Sequence, residues 1–201
     1  DREAAKRISA AVLDGELIGI YAQGDHAENA VKNSKEMFSD EVCICNTIEE
    51  VMKYRYRVIL ADSFPAIDEN TLLLKPKNII VGLGCRKGIS EELLEKGLLE
   101  ILKKNHLDMN QIEALVSIED PAVVSLAEKY KVPFLTYSAE MLNEVEEVSS
   151  ASSFVKKITG IDNVCERAAV TYCKKHCEYF ELIAGKSIET AMTAAIARRN
   201  I

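Results

Sequence analysis

The stretch NIIVGLGCRKGIS (residues 78–90) joins an apolar run to a helical pattern through a glycine-rich, cationic turn. The apolar residues 79–83 predict a buried strand. Ser90 is the expected N-cap of a helix over residues 90–104, whose leucines and isoleucine form one apolar stripe. A strand joined in this way to a helix is the building unit of an α/β fold.

Strand and helix patterns alternate along the rest of the chain. This predicts an α/β fold of two small layered domains, each a mostly parallel or mixed sheet flanked by helices. The first domain is predicted over residues 1–76 and the second over residues 77–201. The segment DSFPAIDENTLLLKPKN (62–78) contains two prolines and is interpreted as the crossing between them. The predicted helices cover residues 3–13, 26–38, 47–53, 90–104, 121–130, a segment capped by Ser138, 152–159 and 163–175, and the predicted strands cover 17–22, 42–45, 57–61, 79–83, 114–118, 133–137, 178–184 and 191–197.

Composition narrows the class of protein. The 201 residues carry a formal net charge of -7, which argues against a sequence-independent nucleic-acid binder, since such proteins need an excess of Lys and Arg. The six cysteines lack the spacing of a secreted scaffold, so reduced thiols are expected. No apolar run approaches the roughly 18 residues that span a bilayer, and we expect a cytoplasmic protein.

Because the chain opens at Asp1 inside a helical pattern, we expect it to be a piece of a longer protein.

The glycine turn has the outline of an anion site. Gly82, Gly84 and Gly88 would let the backbone approach a ligand closely, and the helix after Ser90 would offer free N–H groups. Two cations, Arg86 and Lys87, would stand at the same place, outside the carboxyl end of a strand. The alternative is a structural loop with solvated cations.

Two known phosphate motifs fit less well. In a dinucleotide fingerprint, a third glycine would occupy the position of Lys87, and the acidic residue that should follow comes late, at Glu119 or Asp120. A P-loop would need the sequence Gly-Lys followed by Ser or Thr, which this turn lacks.

Several short motifs, in the same order, resemble a known family. LLLKPKNIIVGLGCRKGIS (72–90) resembles the start of the C-terminal domain of the cobalamin biosynthesis family CbiG, the cobalt-precorrin-5A hydrolases. Further matches to that domain are ALVSIE (114–119), VPFLTYSAEML (132–142), SSFVKKITGIDNVCERAA (152–169) and TAAIARR (193–199). LIGIYAQGD (17–25) and RVILADSF (57–64) resemble the family's central domain, so the resemblance covers essentially the whole chain.

The resemblance implies an enzyme that opens the δ-lactone of cobalt-precorrin-5A and releases acetaldehyde. It also implies a further domain ahead of the central one. The chain departs from the family at two places: the acidic stretch after ALVSI is short, and Arg167 stands where a proline is common. The first departure weakens an acid or base role for that loop.

Lactone opening needs a general base and donors aimed at the developing oxyanion. Glu119, at the end of a predicted strand, is the first candidate base, or else a neighbour of a helix N-cap. Glu166 is the second, or else a carboxylate that favours a helix start. Cys85 is a candidate nucleophile activated by Arg86, or else a small buried thiol. Backbone N–H groups of residues 84–88, together with Arg86, are the candidate oxyanion donors.

A corrinoid carries acetate and propionate arms, and cations suited to these carboxylates are Arg86, Lys87, Lys186 and Arg198. No cofactor is expected, because the cobalt arrives inside the substrate. CKKHC (173–177) offers three metal ligands on one helix, a weak metal motif. The expected partner is a corrinoid, with other enzymes of the pathway or a second copy as alternatives, and no nucleic acid or membrane. The alternative function is a non-catalytic corrinoid carrier.

Overall fold

The computed structural model describes residues 1–23, 41–61, 64, 67–145 and 163–199. The chain divides into two compact units, residues 1–76 and residues 77–200. Each unit contains an open sheet with helices against it, so the predicted α/β fold is confirmed. The helices predicted over residues 26–38 and 152–159 lie outside the described residues.

The sheet of the first unit is parallel. Its elements in chain order are α1 (Arg2–Leu13), β1 (Ile18–Ala22), β2 (Val42–Cys45), α2 (Ile48–Val51), β3 (Tyr56–Leu60) and β4 (Thr71–Leu74). The strands have the spatial order β2-β1-β3-β4. Helix α1 is capped by Asp1, whose side chain accepts hydrogen bonds from the backbone N–H groups of Glu3 and Ala4.

Strand β4 corrects the interpretation of residues 62–78 as a crossing. Thr71–Leu74 pairs in parallel with β3, so part of the presumed linker completes the first sheet. The strand follows a turn in which the Asp68 carboxylate accepts hydrogen bonds from the Asn70 N–H and the Thr71 hydroxyl. An apolar run of four residues between turn residues is consistent with either a linker or a short strand, and the pattern alone does not separate them.

The second unit begins with β5 (Ile79–Cys85), a strand buried on both faces. Helix α3 (Glu91–Lys104) follows Ser90, whose hydroxyl accepts a hydrogen bond from the Leu93 N–H at 3.3 Å, as predicted for an N-cap. The elements in chain order are β5 (Ile79–Cys85), α3 (Glu91–Lys104), a 3₁₀ turn (Met109–Gln111), β6 (Ile112–Ser117), α4 (Pro121–Tyr130), β7 (Phe134–Thr136), α5 (Ala139–Asn143), α6 (Val164–His176), β8 (Phe180–Glu189) and β9 (Met192–Arg199).

The second sheet is mixed, with the order β7-β6-β5-β9-β8. Strands β5, β6 and β7 are parallel, whereas β9 runs antiparallel to both β5 and β8. One face carries a core shared with α3 and α4, which includes Leu83, Leu98 and Leu126. The other face, which includes Ile80 and Val116, is covered by α6. β5 lies at the centre of this sandwich, as its continuous apolar sequence predicts.

Helix α6 lies directly against the backbone of β5. A Cβ atom at Gly82 would stand 1.8 Å from the carbonyl oxygen of Cys165 and 3.0 Å from the backbone N of Ala169. The contact is between two backbones, so no side-chain rotation can relieve it. Only glycine at this position lets the first turns of α6 pack this closely on the sheet.

We expect Gly82→Ala to lower the free energy of unfolding by about 3 kcal/mol or more, since the added methyl group must push a helix off the central strand. The matched control is Gly88→Ala. Gly88 has φ +81° with open space around the position of a Cβ, so only backbone strain of about 1 kcal/mol is expected there. Urea denaturation of both variants measures the difference, and equal losses would contradict the proposed backbone contact.

Candidate functional site

The glycine turn is a β-turn that follows β5. The Ile89 N–H donates to the Arg86 carbonyl at 3.1 Å, and Gly88 occupies the third position of the turn with positive φ. This is the position at which a type II turn requires glycine. The Arg86 N–H donates in turn to the carbonyl of Ala191 at 3.1 Å. The turn is therefore tied to the β8–β9 connection and does not present its Arg86 N–H to a ligand.

The role predicted for Gly82 in close approach to a ligand is wrong, because the α6 backbone occupies that space. Gly82 faces the α6 backbone, and a Cβ at Gly84 would stand 2.7 Å from the Thr193 hydroxyl and 3.7 Å from Cβ of Val164. What approaches the strand closely is the start of α6 and the neighbouring strand β9. These glycines bring the N-terminus of α6 to the carboxyl edge of the sheet, where β5, β6 and β7 end.

Five residues meet at this edge and form what we call the carboxyl-edge cluster: Asn163, Cys165, Glu166, Lys186 and Thr193. The Glu166 carboxylate is fully buried. Its Oε1 accepts the backbone N–H of Lys186 at 2.5 Å, and its Oε2 accepts the Asn163 amide at 2.7 Å. The Thr193 hydroxyl donates to the Gly84 carbonyl at 3.2 Å. The cluster thus connects α6 with β5, β8 and β9.

Asn163 precedes α6 in the left-handed conformation, with φ 52° and ψ 52°. Asparagine is one of the few residues other than glycine that enter this region readily. Its side chain is buried and bonded in two directions, because the amide group donates to Glu166 and Oδ1 accepts from the Cys165 thiol at 3.3 Å. These bonds hold a backbone conformation that α6 needs in order to start at this point.

Lys186 lies in a bulged part of β8. Ala184 pairs with Ile196 and Ser187 with Ala194, so Gly185 and Lys186 together stand opposite one residue of β9. A bulge of this kind redirects a side chain and releases a backbone N–H from the ladder. The released N–H of Lys186 is the one that Glu166 accepts.

The Lys186 ammonium acts electrostatically on the first turn of α6. Burial raises the pKa of the Cys165 thiol to about 11, and the positive charge of Lys186 is among the effects that oppose this rise. Within the described ranges, the structure gives the Lys186 ammonium no hydrogen bond or ion pair. A half-buried cation with no such partner among the described residues is suited to an anionic ligand.

The structure does not unite all the predicted site residues. Arg198 pairs with Ile79 at the beginning of β5, whereas Thr193 pairs with Gly84 near its end. At about 3.3 Å per residue, Arg198 is some 17 Å from the carboxyl edge. Lys186 stands opposite Ala195, three residues of β9 or about 10 Å from the level of Arg198, so the grouping of these two cations at one site stays a prediction. Glu119 is exposed in the short connection between β6 and α4, and Arg86 and Lys87 are exposed in the turn after β5.

Cys85 lies on the sheet face opposite α6, where it packs, as Ile89 does, against the core that includes Leu83. Burial raises the pKa of its thiol to about 12, with further contributions from the charge of Asp120 and a hydrogen bond to it. The thiol is therefore protonated at neutral pH. Activation of Cys85 by Arg86 is contradicted, because the dominant influences on this thiol disfavour the thiolate.

Arg167, the residue at which the chain departs from the family pattern, has a structural contact of its own. Its guanidinium donates to the carbonyl of Leu142 at 3.2 Å and to that of Val145. These bonds tie the end of α5 to α6. In the other departure, Asp120 accepts the Ala122 N–H and caps α4 directly after the short loop.

The cysteine and histidine residues of CKKHC do not converge on one point. Cys173 is buried in the core under α6, while the His176 ring packs on Tyr172 with 4.6 Å between the ring centroids. Among the described residues, no group of three or more His, Cys, Asp or Glu side chains could hold a metal ion. None of the helices in the described ranges combines the length and apolar character needed to cross a bilayer.

Sequence reasoning missed three members of the cluster: Asn163, Cys165 and Thr193. Their residue types gave no chemical signal, because Asn163 is also typical of a helix cap, Cys165 of a buried thiol and Thr193 of a strand. The available signal was their position inside DNVCER and TAAIARR, two of the motifs that carry the family resemblance. Glu166 was predicted as a carboxylate near a helix start, but its burial was not predicted.

The fold and cluster define an α/β protein whose second unit carries Lys186 beside a buried carboxylate, Glu166. Residues 79–197, more than half of the chain, match the family described as Cobalamin synthesis G C-terminus. The chain belongs to this family.

Two curated relatives extend the similarity into the first unit. "Probable cobalt-precorrin-5A hydrolase" of Methanocaldococcus jannaschii is 27% identical over 182 residues, which are 84% of this chain and 56% of the relative. "Cobalt-precorrin-5A hydrolase" of Priestia megaterium is 27% identical over 199 residues, or 94% of this chain and 52% of the relative. The chain spans about half the length of these relatives.

A solved structure is similar to part of this chain. CobE, described as a protein from the cobalamin (vitamin B12) biosynthetic pathway, is similar with a TM-score of 0.57 and 27% identity. The match covers 61% of this chain and 91% of CobE.

We expect Asp120→Asn to increase the alkylation rate of Cys85 by iodoacetamide at pH 8. Removing the carboxylate charge lowers the pKa of the thiol, and each unit of decrease raises the thiolate fraction roughly tenfold. Asparagine keeps the cap of α4, so the helix start is preserved. Mass spectrometry of the Cys85 peptide measures the rate, with Glu119→Gln as the neighbouring control. An unchanged rate would contradict the influence of Asp120.

Proposed function

We propose that the chain supplies the central and C-terminal units of a cobalt-precorrin-5A hydrolase of the anaerobic cobalamin pathway, acting in the cytoplasm. The observation that carries the proposal is the family match over residues 79–197 together with the names of its relatives. The substrate brings its own cobalt, and we propose no other cofactor.

The proposed reaction has two stages. Water adds to the δ-lactone carbonyl and the ring C–O bond breaks, which leaves a carboxylate and a hydroxyl group. Loss of the hydroxyl proton then breaks the neighbouring carbon–carbon bond, acetaldehyde leaves, and the electron pair passes to the macrocycle to give cobalt-precorrin-5B. Both stages need a group that takes a proton.

The carboxyl-edge cluster supports substrate binding. Lys186 carries a half-buried charge beside the start of α6, and Arg86 and Lys87 are exposed in the turn that follows β5. Ammonium and guanidinium groups are suited to the acetate and propionate arms of a corrinoid. An open α/β sheet also binds ligands at the edge where its parallel strands end.

Glu119 is the candidate base that we retain for this reaction. It is exposed after β6, at the same edge of the sheet as Lys186, so its carboxylate is accessible to a substrate. Glu166, by contrast, is fully buried with both oxygens bonded to protein donors. We assign Cys85 no nucleophilic role, because burial raises the pKa of its thiol.

A non-catalytic corrinoid carrier is the second candidate. It is favoured by the burial of Glu166 and the protonated state of Cys85, which leave cationic binding groups better represented than proton-transfer groups. Incubating the chain with cobalt-precorrin-5A and measuring acetaldehyde separates the two functions. Release of acetaldehyde above the uncatalysed rate supports the hydrolase, and stoichiometric binding without release supports the carrier.

We expect Lys186→Met to weaken the binding of cobalt-precorrin-5A about tenfold or more, because a charge-assisted hydrogen bond to a carboxylate is lost. The matched control is Arg198→Gln, which removes a half-buried cation at the opposite end of the sheet and should change the affinity less than threefold. Absorbance titration of the corrinoid measures both constants. A greater loss of affinity in the Arg198 variant would indicate that the substrate binds at the other edge of the sheet.

A further inference from the structure

The buried position of Glu166 raises the question of what this carboxylate does. Its side chain is 0% exposed, so it does not touch a ligand at the surface. Its two oxygens accept hydrogen bonds from two different elements, the bulge of β8 and the residue before α6. A buried carboxylate that accepts two donors is held in one orientation.

The bond to Lys186 is made by the backbone, which leaves the lysine ammonium available for other partners. Gly185 and Lys186 stand together opposite Ala195, so a one-residue shift of β8 at this point would remove the bulge. Because side chains alternate between the two faces of a strand, a one-residue slip would turn Lys186 to the other face of the sheet. The bond from its N–H to Glu166 Oε1 opposes that slip.

Asn163 extends this arrangement to the helix. Its amide holds Glu166 Oε2 at 2.7 Å, while its own backbone keeps the left-handed conformation from which α6 starts. The Cys165 thiol donates to the same Asn163 side chain. The orientation of Glu166 and the start of α6 are thus set together.

We propose that Glu166 is a positioning residue: through the Lys186 backbone it fixes the β8 bulge, so that the Lys186 ammonium meets a carboxylate arm of the substrate. Asn163 holds Glu166 in the orientation this requires. The inference rests on the proposed function for its ligand. It assigns Glu166 no proton transfer, in contrast to the catalytic role predicted from the sequence.

An exchange of hydrogen-bonding groups tests this role. In Glu166→Gln, the new amide faces two donors and satisfies only one of them, so the Lys186 N–H or the Asn163 amide loses its acceptor. In the double variant Asn163→Asp/Glu166→Gln, the amide at position 166 accepts from Lys186 and donates to the new carboxylate at position 163. The hydrogen bonds return, but the charge has moved.

We expect the single variant to raise the hydrogen-exchange rate of the Lys186 amide and to raise both the Kd and the KM for cobalt-precorrin-5A about tenfold. The double variant should return all three to within about threefold of the unsubstituted chain, with kcat also restored. Thermal unfolding of both variants checks that the comparison concerns folded protein.

Three results would overturn the inference, and they differ from one another. If the double variant regains amide protection and affinity while kcat stays low, the carboxylate at position 166 takes part in the chemistry. If Glu166→Gln leaves the Lys186 amide unaffected, Glu166 does not hold the bulge. If the unsubstituted chain neither binds nor converts cobalt-precorrin-5A, the proposed function fails, and with it the ligand assigned to Lys186, even where the amide exchange responds as expected.

Discussion

The second unit depends on the contact between the Cys165 carbonyl and Gly82. This contact sets the height of α6 above the sheet at the distance of two backbones, where any side chain at position 82 would intervene. It fixes the end of α6 that carries Asn163, Cys165 and Glu166. Because the helix begins at Val164, one residue before Cys165, its N-terminus comes to lie at the carboxyl edge of β5. The glycines are consequently connected with the site, but by placing a helix and not by admitting a ligand.

Once the helix start is placed, its buried polar groups need partners, since an unsatisfied carboxylate in a core is costly. Glu166 finds them in Asn163 and in the bulged backbone of β8. At the bulge the Lys186 N–H is released from the ladder and supplies one of these two donors. We propose that this bond in turn fixes the position of Lys186.

The sequence was informative about elements and less so about their relations. Apolar periodicity and capping residues such as Ser90 predicted β5 and α3 because these signals are local. The four-residue strand β4 was not predicted, because linkers can have the same sequence pattern. The position of Arg198 beside the start of β5 was not predictable, because the pairing of β9 with β5 is antiparallel and the direction of a pairing is a tertiary property. Gly82 was found, but the sequence does not say whether a glycine faces a ligand or a helix.

The same limit applies to the acids. Glu119 and Glu166 both follow apolar segments near predicted helix starts, and sequence alone gave them similar roles. The structure separates them by access to solvent: Glu119 is exposed, whereas Glu166 is enclosed and held by two donors. A general base must reach its proton, while a positioning residue must be unable to move. The two roles that we propose follow from this difference: exposed Glu119 transfers a proton, and buried Glu166 holds Lys186 in place.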